Sequence, residues 1–387
     1  MLRKVIAGSA AALCGGALLA FSVGADRAWF ERHVLLPYDY LPKPISSIWY
    51  VRGAAAALGA LFLAVAPGLS RWAAARSGKE IAATCARVGL ALVLALCAAE
   101  LVLRRLHLIE LEKQNPRLEF RLGSLDDRFG WSFIPSRTTV LKVWRGTRDI
   151  HYAINSWSNR ARTQDDDPDP ARPSLVFAGE SIVTGHGLEY DETFPALVGA
   201  QLGLQVVNLA VGGYGSDQAY LRLADTLPRL AHPVAVVTLF HAAQLYRNVQ
   251  DYRPRLVLHG EALELEPAAD GPFSHLRLRN LFFNELPFLG ESTLQRSLAV
   301  TAKVLRKTAE ISRARGAAVV FLVPTVGVQR SVEEHPEAPF LHRLFDAQGL
   351  HYLLLDIPPE RGIPNDGHPD AIAQQQIATA LVSALSH

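Results

Sequence analysis

Hydrophobic positions are concentrated near the N-terminus, where three long apolar segments alternate with shorter polar stretches. The segments cover about residues 5–25, 53–69 and 88–103, and each is close to the length that an α-helix needs to cross a bilayer. We therefore predict that residues 1–105 form a membrane region with three transmembrane helices.

Two alternatives to this interpretation stay open from the pattern alone. The first segment follows Arg3 and Lys4, as the apolar region of a cleaved signal peptide does. The other two segments could be buried helices of a soluble bundle, although the absence of charge between residues 53 and 69 favours a membrane span. Glu100, near the end of the third segment, stands four residues before Arg104, a spacing that predicts an ion pair.

A different pattern begins after Pro173, where short continuous apolar runs alternate with segments of helical periodicity. The runs cover residues 175–178, 204–210, 234–240, 317–323 and 351–356. Strands that are apolar on both faces are typical of a parallel sheet covered by helices on both sides. We therefore predict an α/β domain over residues 173–387.

Polar, irregular sequence surrounds and interrupts this domain. Residues 106–172 are rich in turn-forming residues and predict an irregular linker and N-terminal extension. The carboxylates at 165–167 lie beside prolines and do not fit a calcium loop, so they predict a solvated linker. A long gap between strands, residues 251–290, predicts an insertion that forms a lid or a substrate-facing surface.

Composition narrows the possible functions only slightly. The net charge is +2, with no basic run interleaved with aromatic residues, and this gives no basis for nucleic-acid binding. Cys14, Cys85 and Cys97 all lie in the apolar N-terminal part, so the cysteine content selects no redox compartment. Basic residues occur on both sides of the apolar segments, and the positive-inside rule does not decide their orientation.

Three residues at the ends of predicted strands are candidates for nucleophilic catalysis. Ser181, in Gly-Glu-Ser, follows the first strand, and Asp366 and His368 lie between the last strand and the last helix. Because the carboxyl ends of parallel strands meet at one edge of a sheet, we expect the three side chains to lie close together. A serine becomes a nucleophile when a base takes its proton and an acid orients that base. Taken singly, each residue also fits a turn or a helix cap.

A Gly-rich turn after the second strand supplies candidate donors for a developing oxyanion. The sequence "NLAVGGYGSDQAY" ends a strand and begins a helix, so the backbone N–H of Gly212 or Gly213 could serve, together with that of Ser181. The nucleophile elbow of α/β-hydrolases does not fit, because Val183 stands where that elbow has a glycine.

Several ordered blocks resemble the SGNH (GDSL-like) hydrolase superfamily, in its bacterial membrane-tethered branch. "FAGESIVTGHGLEYDETFPALV", "VVNLAVGGYGSDQ" and "DGHPD" are similar to the family's first, second and last blocks, and "DDRFGWSFIPS" and "YAINSWSNRAR" to segments that precede its domain. The resemblance implies a three-layer α/β/α, flavodoxin-like fold with Ser181 as nucleophile, His368 as base and Asp366 as acid. It also implies that Gly213 is an oxyanion donor and that the activity needs no metal or organic cofactor.

The first and last blocks each depart from the family pattern at one position. Glu180 replaces the usual aspartate, a mild change because that residue is not the nucleophile. Asp366 stands two positions before His368 instead of three, where this chain has Asn365.

The third block departs more seriously. Where the family has Gly-Asn-Asp, this chain has Ala242, Ala243 and Gln244, so the side-chain oxyanion donor is missing. Loss of one such donor typically lowers the rate on the order of a hundredfold. Three nearby residues are candidates to replace it: Gln244, His241 and Asn248.

The sequence thus supports two functional hypotheses. The first is a serine esterase or acyltransferase in the inner membrane, with an extracytoplasmic domain that acts on an ester or an acylated carbohydrate. The second is a non-catalytic SGNH-like domain that binds a glycan or a partner in cell-surface polysaccharide assembly, and the missing third-block asparagine is its main support. The carbohydrate substrate and the placement outside the cytoplasm come from the resemblance, because a fold does not determine a function.

Overall fold

The computed structural model describes residues 2–26, 29, 46–106, 122–142, 148–271, 274, 276–280, 291–326, 338–364 and 366–386. The chain forms two compact units. One contains the apolar N-terminal helices together with a segment near residue 280, and the other contains the α/β domain and its N-terminal extension.

Long apolar helices form the first unit. They are α1 (Leu2–Gly24), α2 (Ser46–Ala74) and α3 (Gly78–Arg105). Two stretches, Trp49–Ala74 and Gly78–Arg105, are long and apolar enough to cross a membrane. The predicted span at residues 5–25 coincides with α1, whose Ser9–Gly24 stretch is apolar but shorter.

Helices α1 and α2 pack closely because each presents a glycine at the contact. A Cβ atom added to Gly15 would lie 2.8 Å from the Gly59 carbonyl oxygen, and one added to Gly59 would lie 2.9 Å from the Gly15 carbonyl oxygen. Small residues at such positions let helix backbones approach each other, which favours helix association in a membrane.

Glu100 joins part of the predicted insertion to α3. Its carboxylate accepts a hydrogen bond from Arg104 Nε at 2.7 Å, which confirms the predicted ion pair. It also accepts the backbone N–H groups of Arg277 (3.0 Å) and Leu278 (2.9 Å), at the start of the helical turn Arg277–Asn280. This part of the insertion therefore belongs to the helical unit, whereas residues 281–290 lie outside the described residues.

The extension before the α/β domain is more regular than its sequence predicts. It forms the antiparallel pair β1 (Gly123–Asp126) and β2 (Gly130–Phe133) and the antiparallel sheet β3 (Arg137–Lys142), β4 (Asp149–Ile154) and β5 (Arg160–Ala161). The irregular conformation expected between residues 106 and 172 is therefore wrong for 123–142 and 149–161, whereas 107–121 and 143–147 lie outside the described residues. The physical reason is packing: aromatic and aliphatic side chains of these short strands join one buried cluster with Val211 and Tyr214 of the α/β domain.

A five-stranded parallel sheet forms the centre of the second unit. Its strands, in chain order, are β6 (Ser174–Ala178), β7 (Gln205–Asn208), β8 (Pro233–Leu239), β11 (Ala318–Val326) and β12 (Tyr352–Ile357). A separate antiparallel hairpin, β9 (Arg255–His259) and β10 (Ala262–Glu266), lies between β8 and β11 in the sequence. The sheet has the order β12-β11-β8-β6-β7, and every neighbouring pair is parallel. Numbered by their own sequence, these strands follow the flavodoxin-like order 2-1-3-4-5, which confirms the predicted fold class.

Helices flank this sheet and bury both of its faces. They are α4 (Ser181–Thr184), α5 (Phe194–Leu202), α6 (Ser216–Thr226), α7 (Ala243–Arg247), α8 (Glu291–Arg313), α9 (Ala338–Leu344) and α10 (Ala371–Leu385). Strand β6 shows why its run is continuously apolar: Leu175 and Phe177 enter one core cluster, and Val176 and Ala178 enter another. The sheet order reverses beside β6, and open α/β sheets bind their ligands at the carboxyl ends of the strands at such a point.

Candidate active site

Ser181 is the first residue of the short helix α4, directly after β6. Glu180 caps this helix by accepting the Ile182 N–H at 3.2 Å, and Gly185 ends it with a φ of 78° in the left-handed region. A Cβ atom at Gly185 would overlap the Thr193 side chain, so both space and backbone conformation require glycine there. The turn fixes the Ser181 side chain at the carboxyl edge of the sheet.

The loop between β12 and α10 brings the predicted base and acid to this serine. Ser181 Oγ lies 2.7 Å from His368 Nε2, and His368 Nδ1 is hydrogen-bonded to Asp366 Oδ1. The same carboxylate oxygen accepts the His368 backbone N–H at 3.1 Å. Gly367, with a φ of 88°, makes the tight turn between the two residues, whereas Asn365 lies outside the described residues. The three side chains named from the sequence therefore meet in the order serine, histidine, carboxylate.

The Gly-rich turn that carries Gly213 is braced by the extension. Gly213 has a φ of 79°, and a Cβ atom there would lie 3.4 Å from the Trp131 ring. The Trp131 indole donates to the Gly212 carbonyl at 3.0 Å, and the Tyr214 hydroxyl donates to the Trp131 carbonyl at 2.6 Å. These contacts hold the turn rigidly, which is what a preorganised oxyanion donor needs.

Two of the three proposed replacements for the missing asparagine are committed to other hydrogen bonds. Gln244 Nε2 donates to the Leu239 carbonyl at 3.1 Å. Asn248 Nδ2 lies 2.7 Å from Ser216 Oγ and 2.8 Å from Thr301 Oγ1, so it joins α6 to α8. His241 lies beside the residue that precedes Ser181, with its Nε2 atom 3.8 Å from Glu180 Oε1.

Comparisons with known proteins give matches in structure but not in sequence. No protein-family model matches the chain, and no curated protein matches it. A protein of the G-D-S-L family from Desulfitobacterium hafniense DCB-2 is similar to 54% of this chain and 98% of its own, with 14% identity and a TM-score of 0.31. AlinE4, an SGNH-hydrolase family esterase, is similar over 57% of this chain and 97% of its own, with 14% identity and a TM-score of 0.29.

An acetyl xylan esterase, Est2A from Butyrivibrio proteoclasticus, is similar over 57% of this chain, with 11% identity and a TM-score of 0.31. This chain covers 65% of that protein, less than two thirds of its length.

The strand order of the sheet and the positions of Ser181, Asp366 and His368 at its carboxyl edge agree with the resemblance found in the sequence blocks. The α/β unit thus has the three-layer, flavodoxin-like fold that this resemblance implies.

Glu180 contacts more groups in the α/β unit than its place beside Ser181 suggests. Its buried carboxylate is hydrogen-bonded to the Ser181 hydroxyl and lies 3.4 Å from Arg247 Nη1, which also donates to the Tyr214 carbonyl at 3.1 Å. Burial opposes ionisation of Glu180, but His241, Arg247, His368 and the Ser181 hydrogen bond outweigh it and lower its pKa to about 2.

The neighbouring His241 is neutral at neutral pH, because burial lowers its pKa to about 3. The cation that pairs with Glu180 near pH 7 is therefore Arg247. Sequence reasoning missed Arg247, since an arginine three residues after the altered third block carries no local signal of its role.

Asp366 is ionised for a similar balance of reasons. Burial opposes its charge, but hydrogen bonds from His186 and His368 hold the pKa of the carboxyl well below its usual range. His186 was also missed by sequence reasoning; its Nε2 atom lies 3.4 Å from Asp366 Oδ2.

The extension also holds the nucleophile loop, through Arg160. This buried guanidinium donates to the carbonyls of Thr184 and Gly185, both at 2.6 Å, and to that of Leu188, and it stacks 3.7 Å from the centre of the Tyr152 ring. Arg160 is the arginine of the "NSWSNR" segment. That segment of the extension therefore fixes the loop that follows Ser181.

One group of side chains near the nucleophile has the chemistry of a metal site. His186, Asp366 and His368 offer ligand atoms that all lie within 4.8 Å of one another. Two imidazoles and a carboxylate suit zinc, but a metal bound to His368 would compete with its hydrogen bonds to Ser181 and Asp366. These residues therefore fit a hydrogen-bonded catalytic group better than a resident metal.

The two buried groups beside the nucleophile predict acid sensitivity. The pKa of His241 is lowered from 6.5 to about 3. Between these pH values the imidazole is protonated in the unfolded chain but neutral in the folded chain. The stability contributed by neutral His241 is thus lost as the pH falls from 6.5 toward 3, by about 1.4 kcal/mol per pH unit at most. The stability contributed by ionised Glu180, whose pKa is lowered from 4.5 to about 2, is lost below pH 4.5.

Urea unfolding of the full chain in detergent at pH 6.5, 5.5 and 4.5 measures this slope. We expect the His241→Asn variant to lose most of the pH dependence between 6.5 and 4.5, because no buried imidazole remains to be protonated. A variant of the exposed histidine His151, His151→Asn, is the matched control and should keep the wild-type slope. An unchanged slope in His241→Asn would contradict the assignment.

Proposed function

We propose that this protein is a membrane-anchored serine esterase or acyltransferase of SGNH type. The observation that carries the proposal is the hydrogen-bonded series in which Ser181 Oγ lies 2.7 Å from His368 Nε2 and His368 Nδ1 is bonded to Asp366. This arrangement activates a serine toward an acyl carbonyl, because the imidazole accepts the hydroxyl proton and the carboxylate orients the imidazole and stabilises its charged form.

The chemistry follows from these positions. Ser181 Oγ attacks the carbonyl carbon of an ester while His368 takes the hydroxyl proton, and the carbonyl oxygen becomes the anion of a tetrahedral intermediate. The backbone N–H groups of Ser181 and Gly213 stabilise this anion. As the intermediate collapses, His368 gives its proton to the leaving alcohol, and Ser181 carries the acyl group. Water or a sugar hydroxyl, deprotonated by His368, then takes the acyl group and releases the serine.

The substrate and the cellular placement in this proposal are supported by the sequence resemblance and not by the geometry of the site. An O-acyl group of a carbohydrate and a position outside the cytoplasm are what the sequence resemblance implies. The two helices that are long and apolar enough to cross a membrane support the anchor. A substrate on or near the membrane surface suits an enzyme tethered in this way.

A second candidate function is a non-catalytic glycan- or partner-binding domain. It is favoured by the third block, where Ala242, Ala243 and Gln244 replace the family's Gly-Asn-Asp. The amides of Gln244 and Asn248 donate to groups other than an oxyanion site, and this supports the second candidate. Under this hypothesis Ser181 would not be reactive.

Labelling with a fluorophosphonate distinguishes the two candidates. We expect the full chain in detergent micelles to be labelled on Ser181, located by mass spectrometry of the labelled peptide. His368→Ala should abolish the labelling, because the serine loses its base. His342→Ala is the matched control: it removes an exposed histidine hydrogen-bonded to Asp346 and should label like the wild type. A folded wild type that is not labelled would favour the binding domain.

A further inference from the structure

A second histidine contacts the acid of the triad. His186 Nε2 lies 3.4 Å from Asp366 Oδ2, the carboxylate oxygen that is not bonded to His368. The rings of His186 and His368 are neighbours, with centroids 4.5 Å apart. The His186 side chain is 18% exposed and that of Asp366 is 9% exposed, so the contact is largely protected from solvent.

The position of His186 is fixed relative to the nucleophile. Its backbone N–H donates to the Ser181 carbonyl at 2.9 Å, and the left-handed Gly185 directs the chain into this turn. Arg160 binds the carbonyls of Thr184 and Gly185 just before it. His186 therefore sits on the same rigid turn as Ser181, although its partner Asp366 lies far away in the sequence.

The short spacing of the acid and the base explains why such a contact is useful. Asp366 stands only two residues before His368, and its Oδ1 atom accepts both the backbone N–H and the ring N–H of that histidine. Both hydrogen bonds converge on one oxygen, which leaves the rotation of the carboxylate about its own bond weakly restrained. A donor on Oδ2 restrains that rotation and keeps Oδ1 directed at His368.

We propose that His186 is a positioning residue of this site. It donates a hydrogen bond from Nε2 to Asp366 Oδ2 and so keeps Asp366 Oδ1 directed at the His368 ring. The proposal rests on the proposed function, since it assigns His186 a part in orienting the triad. His186 touches neither the acyl group nor the leaving alcohol in this role. It acts through Asp366 on the orientation of the His368 ring.

The test compares two variants of His186. In His186→Leu the donor is lost, and we expect kcat for an aryl acetate to fall about tenfold with KM unchanged, as for a lost hydrogen bond to a charged group. In His186→Gln the side-chain amide still donates, and kcat should return to within about threefold of the wild type. The control is His151→Leu, which removes another histidine–carboxylate contact, 3.1 Å from Glu189 and exposed, and should leave kcat unchanged.

A second readout does not depend on turnover. The proton on His368 Nδ1, bonded to Asp366, gives a low-field NMR resonance that reports this hydrogen bond. We expect the resonance to shift in His186→Leu and to keep its wild-type position in His186→Gln and His151→Leu. Wild-type kcat and an unmoved resonance in His186→Leu would overturn the proposal. If the wild type itself neither turns over ester nor labels, the proposed function fails, whereas the resonance still decides whether His186 positions Asp366.

Discussion

Ser181→Ala is expected to lower the kcat for an aryl acetate by about 10⁴- to 10⁶-fold, the range seen when a triad serine is removed. The methyl group that replaces the hydroxymethyl cannot attack a carbonyl, so the acyl-enzyme no longer forms. What remains is the stabilisation supplied by the Gly213 turn and by binding, which is why the residual rate stays above that in water. We expect a result toward the lower end of this range, because the chain has Ala242, Ala243 and Gln244 where the family pattern has a side-chain oxyanion donor.

Two measurements separate this loss from a loss of structure. Steady-state hydrolysis of the aryl acetate gives kcat, and the urea midpoint at pH 7 reports folding. Ser156→Ala is the matched control, because Ser156 is also hydrogen-bonded to a carboxylate, that of Asp167, but lies on the surface of the extension. This control should keep full activity. Retention of activity in folded Ser181→Ala would mean that another group attacks the ester, and the mechanism would be wrong.

Asp366→Asn is expected to lower kcat by about 10⁴-fold while the site keeps its geometry, as when the acid of a serine triad becomes an amide. The carboxylate accepts a hydrogen bond from the N–H at His368 Nδ1, which keeps the proton on Nδ1 and leaves Nε2 free to accept the Ser181 proton. An amide that presents its N–H₂ group to Nδ1 reverses this: the imidazole then carries its proton on Nε2 and cannot act as a base. The loss should appear in kcat and in the rate of fluorophosphonate labelling alike.

The exposed pair His342 and Asp346 supplies the control for this variant. Asp346→Asn removes the carboxylate of a histidine pair that lies outside the site, and it should leave both rates unchanged. A loss of less than tenfold in Asp366→Asn would contradict the assigned role. It would direct attention to Glu180, the other carboxylate within hydrogen-bond distance of the Ser181 hydroxyl.

Much of the fold was predictable because a buried strand appears in the sequence as a short run of apolar residues. Strand β6 is apolar at every position from Leu175 to Ala178 because both faces of the sheet are covered, whereas the edge strands β7 and β12 are only partly buried. Ser181, Asp366 and His368 each follow a strand, and the carboxyl ends of parallel strands lie at one edge of the sheet, so the three residues were expected there. The 2.7 Å contact between the serine and the histidine agrees with that expectation. The strands of the extension were not predictable in this way, since their short runs mix aromatic and polar residues and become buried only against Val211 and Tyr214.

The sequence by itself determined the α/β class and the edge of the sheet at which Ser181, Asp366 and His368 meet. Only the tertiary structure decided which side chains support them: His186 on Asp366, Arg247 on Glu180, and Arg160 on the nucleophile loop. It also decided that the Asn248 amide joins two helices, through Ser216 and Thr301. The physical reason is the separation along the chain of the residues involved. The apolar pattern of a strand and the residues of a turn can be recognised from neighbouring positions, whereas these hydrogen bonds and ion pairs join residues that are distant in the sequence and meet only when the chain has folded.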